Sequence, residues 1–185
     1  LWSNLISVVS DQAQALQRIA FSPVVREAGD LAAALFDTQG RMLAQAITGT
    51  PGHVNAMAAS VGFFLDKYPA KTMSPGDVYF TNDPWLGTGH LHDFTMVTPT
   101  FYRGECIGLF ASTTHVVDVG GVGFGADGRQ VYDEGLYMPI LPLAKAGTMD
   151  EAILEIVRAN VREPVQVVGD LYSLMACNDI GCRRL

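Results

Sequence analysis

Apolar residues at positions 5, 8, 9, 16 and 19, set among Ser, Asp, Gln and Arg, follow a 3.6-residue period. That spacing predicts an amphipathic helix over residues 5–19, which Ser22-Pro23 then ends. The period changes downstream. LAAALFD and RMLAQAI alternate on either side of Thr38-Gln39-Gly40, so residues 31–47 read as a β-hairpin, with GTPGH as the loop after it. VNAMAASVGFFLDKY returns to helical spacing until Pro69 stops it. Residues 77–81, 93–102 and 105–112 are rich in β-branched and aromatic side chains, and Arg103-Gly104 joins the last two, so three neighbouring strands are expected. Beyond the glycine-rich VGGVGFGADGR, residues 136–141 are a further expected strand. MDEAILEIVRANVRE and the segment after Pro164 are two terminal helices. No repeat, linker or low-complexity tract interrupts the series. The expected fold is therefore α+β, a single domain over residues 1–185 with mixed, mainly antiparallel, hairpin-connected strands flanked by helices.

Composition narrows the class of partner. A chain of 185 residues, 49% hydrophobic and 17% charged, has the makeup of an ordinary globular domain. A net charge of -7 with no Lys/Arg cluster argues against nucleic acid, since nothing would neutralise a row of phosphates. No apolar run approaches the roughly 20 residues of a membrane span, and LWSNLISVVSDQ lacks a basic leader, so the cytoplasm is the expected compartment. Cys106, Cys177 and Cys182 match neither a CxxC redox motif nor half of a usual zinc cage, and read as reduced structural thiols. The chain starts without Met in a helical pattern and ends at GCRRL, as expected of a fragment of a longer polypeptide.

The chemistry gathers in the histidines. His53, His90, His92 and His115 all fall in expected loops or at strand ends. Imidazole with carboxylate is the ligand mix of Zn, Mn and Fe sites, which makes His90, His92, Asp93 and His115 a candidate metal cluster. In an extended strand His90 and His92 would share a face; His90 and Asp93 meet only if the chain turns, and Pro84, Gly87 and Gly89 allow either arrangement. His115 ends the return strand of a hairpin that starts at Asp93, so an antiparallel ladder brings the two to one edge. Rival motifs are weaker. Ser112 and His115 would point to opposite faces of a strand and no GxSxG is present. GFGADG lacks the strand-then-helix setting of a dinucleotide loop, no GxxxxGK[ST] occurs, and an HxD oxygenase signature is absent.

The segments FSPVVREAGDLAAALFD, TGTPGHVNAM, PGDVYFTNDPWLGTGHLHDFTMVTP, STTHVVDVGG and VREPVQVVGDLYS resemble the hydantoinase B/oxoprolinase family. This family comprises the B-type subunits of ATP-dependent hydantoinases and oxoprolinases, with related subunits of acetone and acetophenone carboxylases. Its members are several hundred residues long, and the chain is similar to their N-terminal part. The resemblance implies that His90, Asp93 and His115 are metal ligands at the catalytic centre, which selects the turned geometry, with Asp30 as the candidate fourth ligand. His53 is expected behind the ligands, against substrate, or as a helix-entry histidine with a local backbone bond, and Asp118 behind the ligands; relatives commonly carry Pro where His92 stands, so His92 is not a shared ligand and stands behind the ligands or toward solvent.

The resemblance further implies a divalent metal (Mn, Zn or Fe) and an A-type partner subunit that uses ATP to phosphorylate a small-molecule substrate. ATP is then used by that partner rather than bound here. The expected reaction is hydrolysis of a cyclic amide such as a hydantoin, 5-oxoproline or a related lactam. The alternatives are a subunit of an ATP-dependent ketone carboxylase, or a non-catalytic scaffold with a structural metal.

Overall fold

The computed structural model describes residues 2–123, 125 and 127–185. In chain order these form α1 (Trp2–Ile19), α2 (Pro23–Arg26), β1 (Leu31–Phe36), β2 (Met42–Gln45), α3 (Pro51–Lys67), a 3-10 turn (Ala70–Thr72), β3 (Val78–Thr81), β4 (Asp93–Tyr102) and β5 (Glu105–His115). They continue with α4 (Val131–Glu134), β6 (Leu141–Lys145), β7 (Thr148–Met149), α5 (Glu151–Asn160) and α6 (Pro164–Arg184). The seven strands make one sheet of order β2-β1-β5-β4-β3-β6-β7, every neighbouring pair antiparallel, so the chain is a single α+β domain.

Strand periodicity explains why β1 is buried along its whole length. Leu31, Ala33 and Leu35 join the core under α1, α5 and α6, while Ala32, Ala34 and Phe36 face the other way, against Met57, Val61 and Phe64 of α3. The sheet is thus covered on both faces. On the α6 side, a Cβ at Gly181 would lie 2.6 Å from the Phe110 ring, so only glycine lets the helix come down onto the sheet at that point. Beneath it, Asn178 Nδ2 donates to Thr98 Oγ1 at 3.1 Å, and Gln12 Nε2 donates to Asn178 Oδ1 at 2.7 Å, which links two buried amides inside an apolar layer.

Two expectations are corrected. The strand expected at 136–141 lies at Leu141–Lys145, because Met138 spends its N–H on Asn82 Oδ1 at 2.7 Å and Pro139 has none to give, so a ladder forms only beyond them. GTPGH is not wholly a loop: Pro51 opens α3, and this places His53 in the first turn of the helix. Of the GFGADG stretch, Phe124 and Ala126 lie outside the described residues. Cys106, Cys177 and Cys182 are free thiols, and no helix among the described residues is long and apolar enough to cross a membrane.

Candidate metal centre

Sheet register assembles the site. Asp93 pairs with His115 across the β4–β5 hairpin, and Leu31 pairs with Thr114, so the start of β1, the start of β4 and the end of β5 meet at one end of the sheet. His115 N donates to Asp30 O at 3.3 Å, which lays the residue before β1 alongside. The segment before β4 is a turn rather than a strand: Gly89 takes φ +109, a conformation glycine tolerates, and Asp93 N donates to His90 O at 3.3 Å. That turn folds His90 back over Asp93. The first turn of α3 supplies His53 from the sheet face opposite α6.

Asp93 is the hub, with 1% of its surface exposed. His115 Nδ1 lies 3.0 Å from Oδ1, while His53 Nε2 at 3.0 Å and His90 Nε2 at 3.1 Å both address Oδ2. Thr88 Oγ1 donates to the same Oδ2 at 2.5 Å. Burial works to raise the Asp93 pKa, but the hydrogen bonds from His115, His53 and His90 outweigh it and hold the carboxyl far below its usual range. The hydrogen bond to Asp93 raises the His90 pKa against the opposing effect of burial. His92 goes the other way, lowered by burial and by the neighbouring His115 and His90.

His90, Asp93 and His115 each offer one donor atom, and the three atoms lie within 4.8 Å of one another. Two nitrogens and a carboxylate oxygen at a buried end of the sheet suit Mn, Zn or Fe, so the donor set fits a divalent cation. Asp30 stands behind it: its Oδ1 accepts from Thr50 Oγ1 at 2.7 Å and lies 3.5 Å from His53 Nδ1. His53 thereby bridges the Asp30 and Asp93 carboxylates. His92 is 5% exposed and stacks its ring on His115, with centroids 5.2 Å apart and planes 6° apart, outside the set of three donors.

Asp118 is placed elsewhere by its bonds. Its Oδ1 accepts from Arg162 Nη1 at 2.8 Å and from Gly120 N at 3.2 Å, which ties the DVGG turn to the segment between α5 and α6. Gly120, at φ +82, has no room for a side chain, since a Cβ would run into Asn160 O. Ser112 is fully buried within β5.

Sequence reasoning missed the residues that fix the turn. Asn82 Nδ2 donates to Leu91 O at 2.7 Å and to Leu136 O at 2.8 Å, and Glu134 Oε2 accepts from Leu91 N at 2.9 Å. The residue between His90 and His92 is therefore held from both sides. Asp83 Oδ1 accepts from Trp85 N at 2.9 Å and Oδ2 from Tyr137 OH at 2.5 Å, which steadies the NDPW turn. NDPW was a visible signal for Asn82 and Asp83; nothing local singled out Glu134.

Two imidazoles and a carboxylate, gathered at the ends of antiparallel strands by a turned HxxD, are a donor set of the kind divalent metals use. The chain matches the hydantoinase B/oxoprolinase family over residues 1–185, and it belongs to that family. It is 34% identical over 92% of its length to an uncharacterised protein of Methanocaldococcus jannaschii, of which the match covers 31%. It is 31% identical over 92% of its length to the caprolactamase subunit beta of Pseudomonas jessenii, of which the match covers 29%. The structure of acetone carboxylase in its nucleotide-free form superposes with a TM-score of 0.87 at 25% identity, covering 98% of this chain and 24% of that one. The chain spans about a third of the length of these two curated relatives.

Proposed function

We propose that this chain is the metal-bearing part of a B-type subunit that completes the ATP-dependent hydrolysis of a cyclic amide, after an A-type partner subunit has phosphorylated the substrate in the cytoplasm. One observation carries the reading: three imidazoles converge on the single buried carboxylate of Asp93, and two of them complete a donor set with it. His90, Asp93 and His115 would hold a divalent ion, with Asp30 behind them beside His53. When bound, such an ion polarises a carbonyl and lowers the pKa of a water to about 7.

The chain's own residues prepare that chemistry. His115 and Asp93 lie almost out of solvent, whereas the His90 side chain is 40% exposed and marks the side from which substrate arrives. His53 keeps the Asp30 and Asp93 carboxylates apart, and Thr50 fixes Asp30 through its hydroxyl. Asn82 and Glu134 hold Leu91, so the HLHD turn keeps its shape. The likeness to caprolactamase subunit beta favours hydrolysis of a lactam. The likeness to acetone carboxylase supports the second reading, in which the same cluster serves a ketone carboxylase.

The test is ATP-coupled turnover of a lactam and of a hydantoin by the full-length protein with its partner, before and after chelation. Loss of turnover on chelation and recovery with Mn, Zn or Fe is expected. Turnover that survives both chelation and His115→Ala would overturn the reading in favour of a scaffold role.

A further inference from the structure

The His90 side of the cluster opens beside a groove that the metal chemistry leaves unused. Its volume is about 450 Å³, within the range of small-molecule pockets. One wall is Pro84, Trp85 and Gly89, the last adjoining His90 in the chain; the other is Gly128 to Val131 with Glu134. Both walls are fixed to the cluster. Asp83 anchors the backbone of Trp85 and is itself bound by Tyr137, while Glu134 holds the N–H of Leu91 between His90 and His92.

Two side chains in this groove have no structural employment among the described residues. The Trp85 indole is 71% exposed, although its backbone is rigidly held. Of the nine arginines, Arg26, Arg41, Arg158, Arg162, Arg183 and Arg184 pair with carboxylates and Arg103 stacks on the Tyr102 ring, which leaves Arg18 and Arg129 with neither among the described residues. The Arg129 guanidinium pairs with none among the described residues, and only the backbone N of Arg129 is engaged, by Asp133 Oδ2 at 2.9 Å. A flat apolar ring and an uncommitted planar cation across one groove form a recognition pair for a flat molecule carrying negative charge.

We propose that the groove between residues 84–89 and 128–134 is the substrate pocket of the cluster. It takes a planar small molecule that bears an oxyanion, with Arg129 on the oxyanion and the Trp85 indole against the ring. The inference rests on the metal-subunit reading for its substrate class, because a cyclic amide activated on its oxygen is both flat and anionic. The oxyanion can belong to a phosphoryl or to a carboxylate group.

The experiment is calorimetric titration of the full-length protein, assembled with its partner, with inorganic phosphate and in a separate arm with acetate. Wild type, Arg129→Gln, Arg129→Lys and Trp85→Ala are compared, and metal occupancy is measured on the same samples. Arg129 and Trp85 are both exposed, so their replacement leaves the fold intact.

Phosphate binding weakened at least about tenfold in Arg129→Gln, with partial rescue in Arg129→Lys and unchanged metal content, is the expected result. In turnover assays Arg129→Gln should raise KM with kcat largely kept. Arg129-dependent binding of acetate instead of phosphate supports the pocket and assigns it to a carboxylate-bearing ligand. Phosphate binding indifferent to Arg129, or no binding of either anion, overturns the proposal even where metal is bound. Arg129-dependent binding in a protein that takes up no metal keeps the pocket and removes the metal reading.

Discussion

Asp77 and Asp93 are two buried aspartates at opposite ends of the same sheet, 2% and 1% exposed, and both carboxyls are held below their usual pKa. Their partners differ. Asp77 Oδ2 takes Lys145 Nζ at 3.0 Å, Ser74 N at 2.9 Å and Tyr79 OH at 3.1 Å, donors that neutralise and close the site. Asp93 takes three imidazoles, each a base able to bind a metal, and one of them faces solvent. A depressed carboxyl therefore marks both a structural clamp and a candidate active centre; the identity of the donors separates the two.

Substitution should expose that difference most strongly at the cluster. Asp93→Ala or His115→Ala in the assembled enzyme is expected to lower turnover roughly a thousandfold or more, because each would remove a proposed ligand of the Lewis acid. Steady-state kinetics with metal analysis of the same preparation checks this. Next in size, Glu134→Ala should weaken metal affinity about tenfold by releasing Leu91, the lower end of what outer partners contribute. Glu134→Gln keeps an acceptor for Leu91 N and should bind metal nearly as wild type does, as read in a competition titration with a chelating dye.

At the other end of the sheet the readout moves to stability. Asp77→Asn should cost about 1–2 kcal/mol in denaturant unfolding without altering metal affinity, a value discounted because the Lys145 side chain is 59% exposed. Burial raises the Asp77 pKa, yet the bonds from Lys145, Ser74 and Tyr79 bring it below the ordinary aspartate value of 3.8. A carboxyl depressed on folding contributes stability above its unfolded pKa and loses it as pH falls through the folded one. The gap between wild type and Asp77→Asn should thus hold at neutral pH and close below about 3.8 in melting curves. The smallest effect is expected from Lys145→Gln, about 0.5 kcal/mol in the same unfolding assay, with turnover unchanged.

Both aspartates also show what a sequence reveals. Asp93 was legible because β4 and β5 are long, β-branched and joined by a two-residue turn, so counting along the ladder put His115 opposite it. Asp30 was not legible from spacing, since β1 reaches β5 across the sheet rather than along the chain; it came only with the family resemblance. Glu134 was hidden for a related reason. Its bond to Leu91 spans 43 residues and starts from a four-residue helix that RQVYDEGLY does not announce. The misplaced sixth strand has the same origin, because an Asn82 side chain substitutes for a ladder partner at Met138. Local pattern found the long elements, while the bonds that shape the site run between distant turns.

His90, Asp93 and His115, at one end of the sheet, are proposed to hold a divalent ion. Calorimetric titration of the metal-stripped, full-length protein with Mn, Zn and Fe(II), alongside Asp93→Ala, tests it most directly. Saturable binding of one ion per chain is expected in the wild type, with its loss in Asp93→Ala. Absence of binding to the wild type, or binding of equal strength in both, would contradict it.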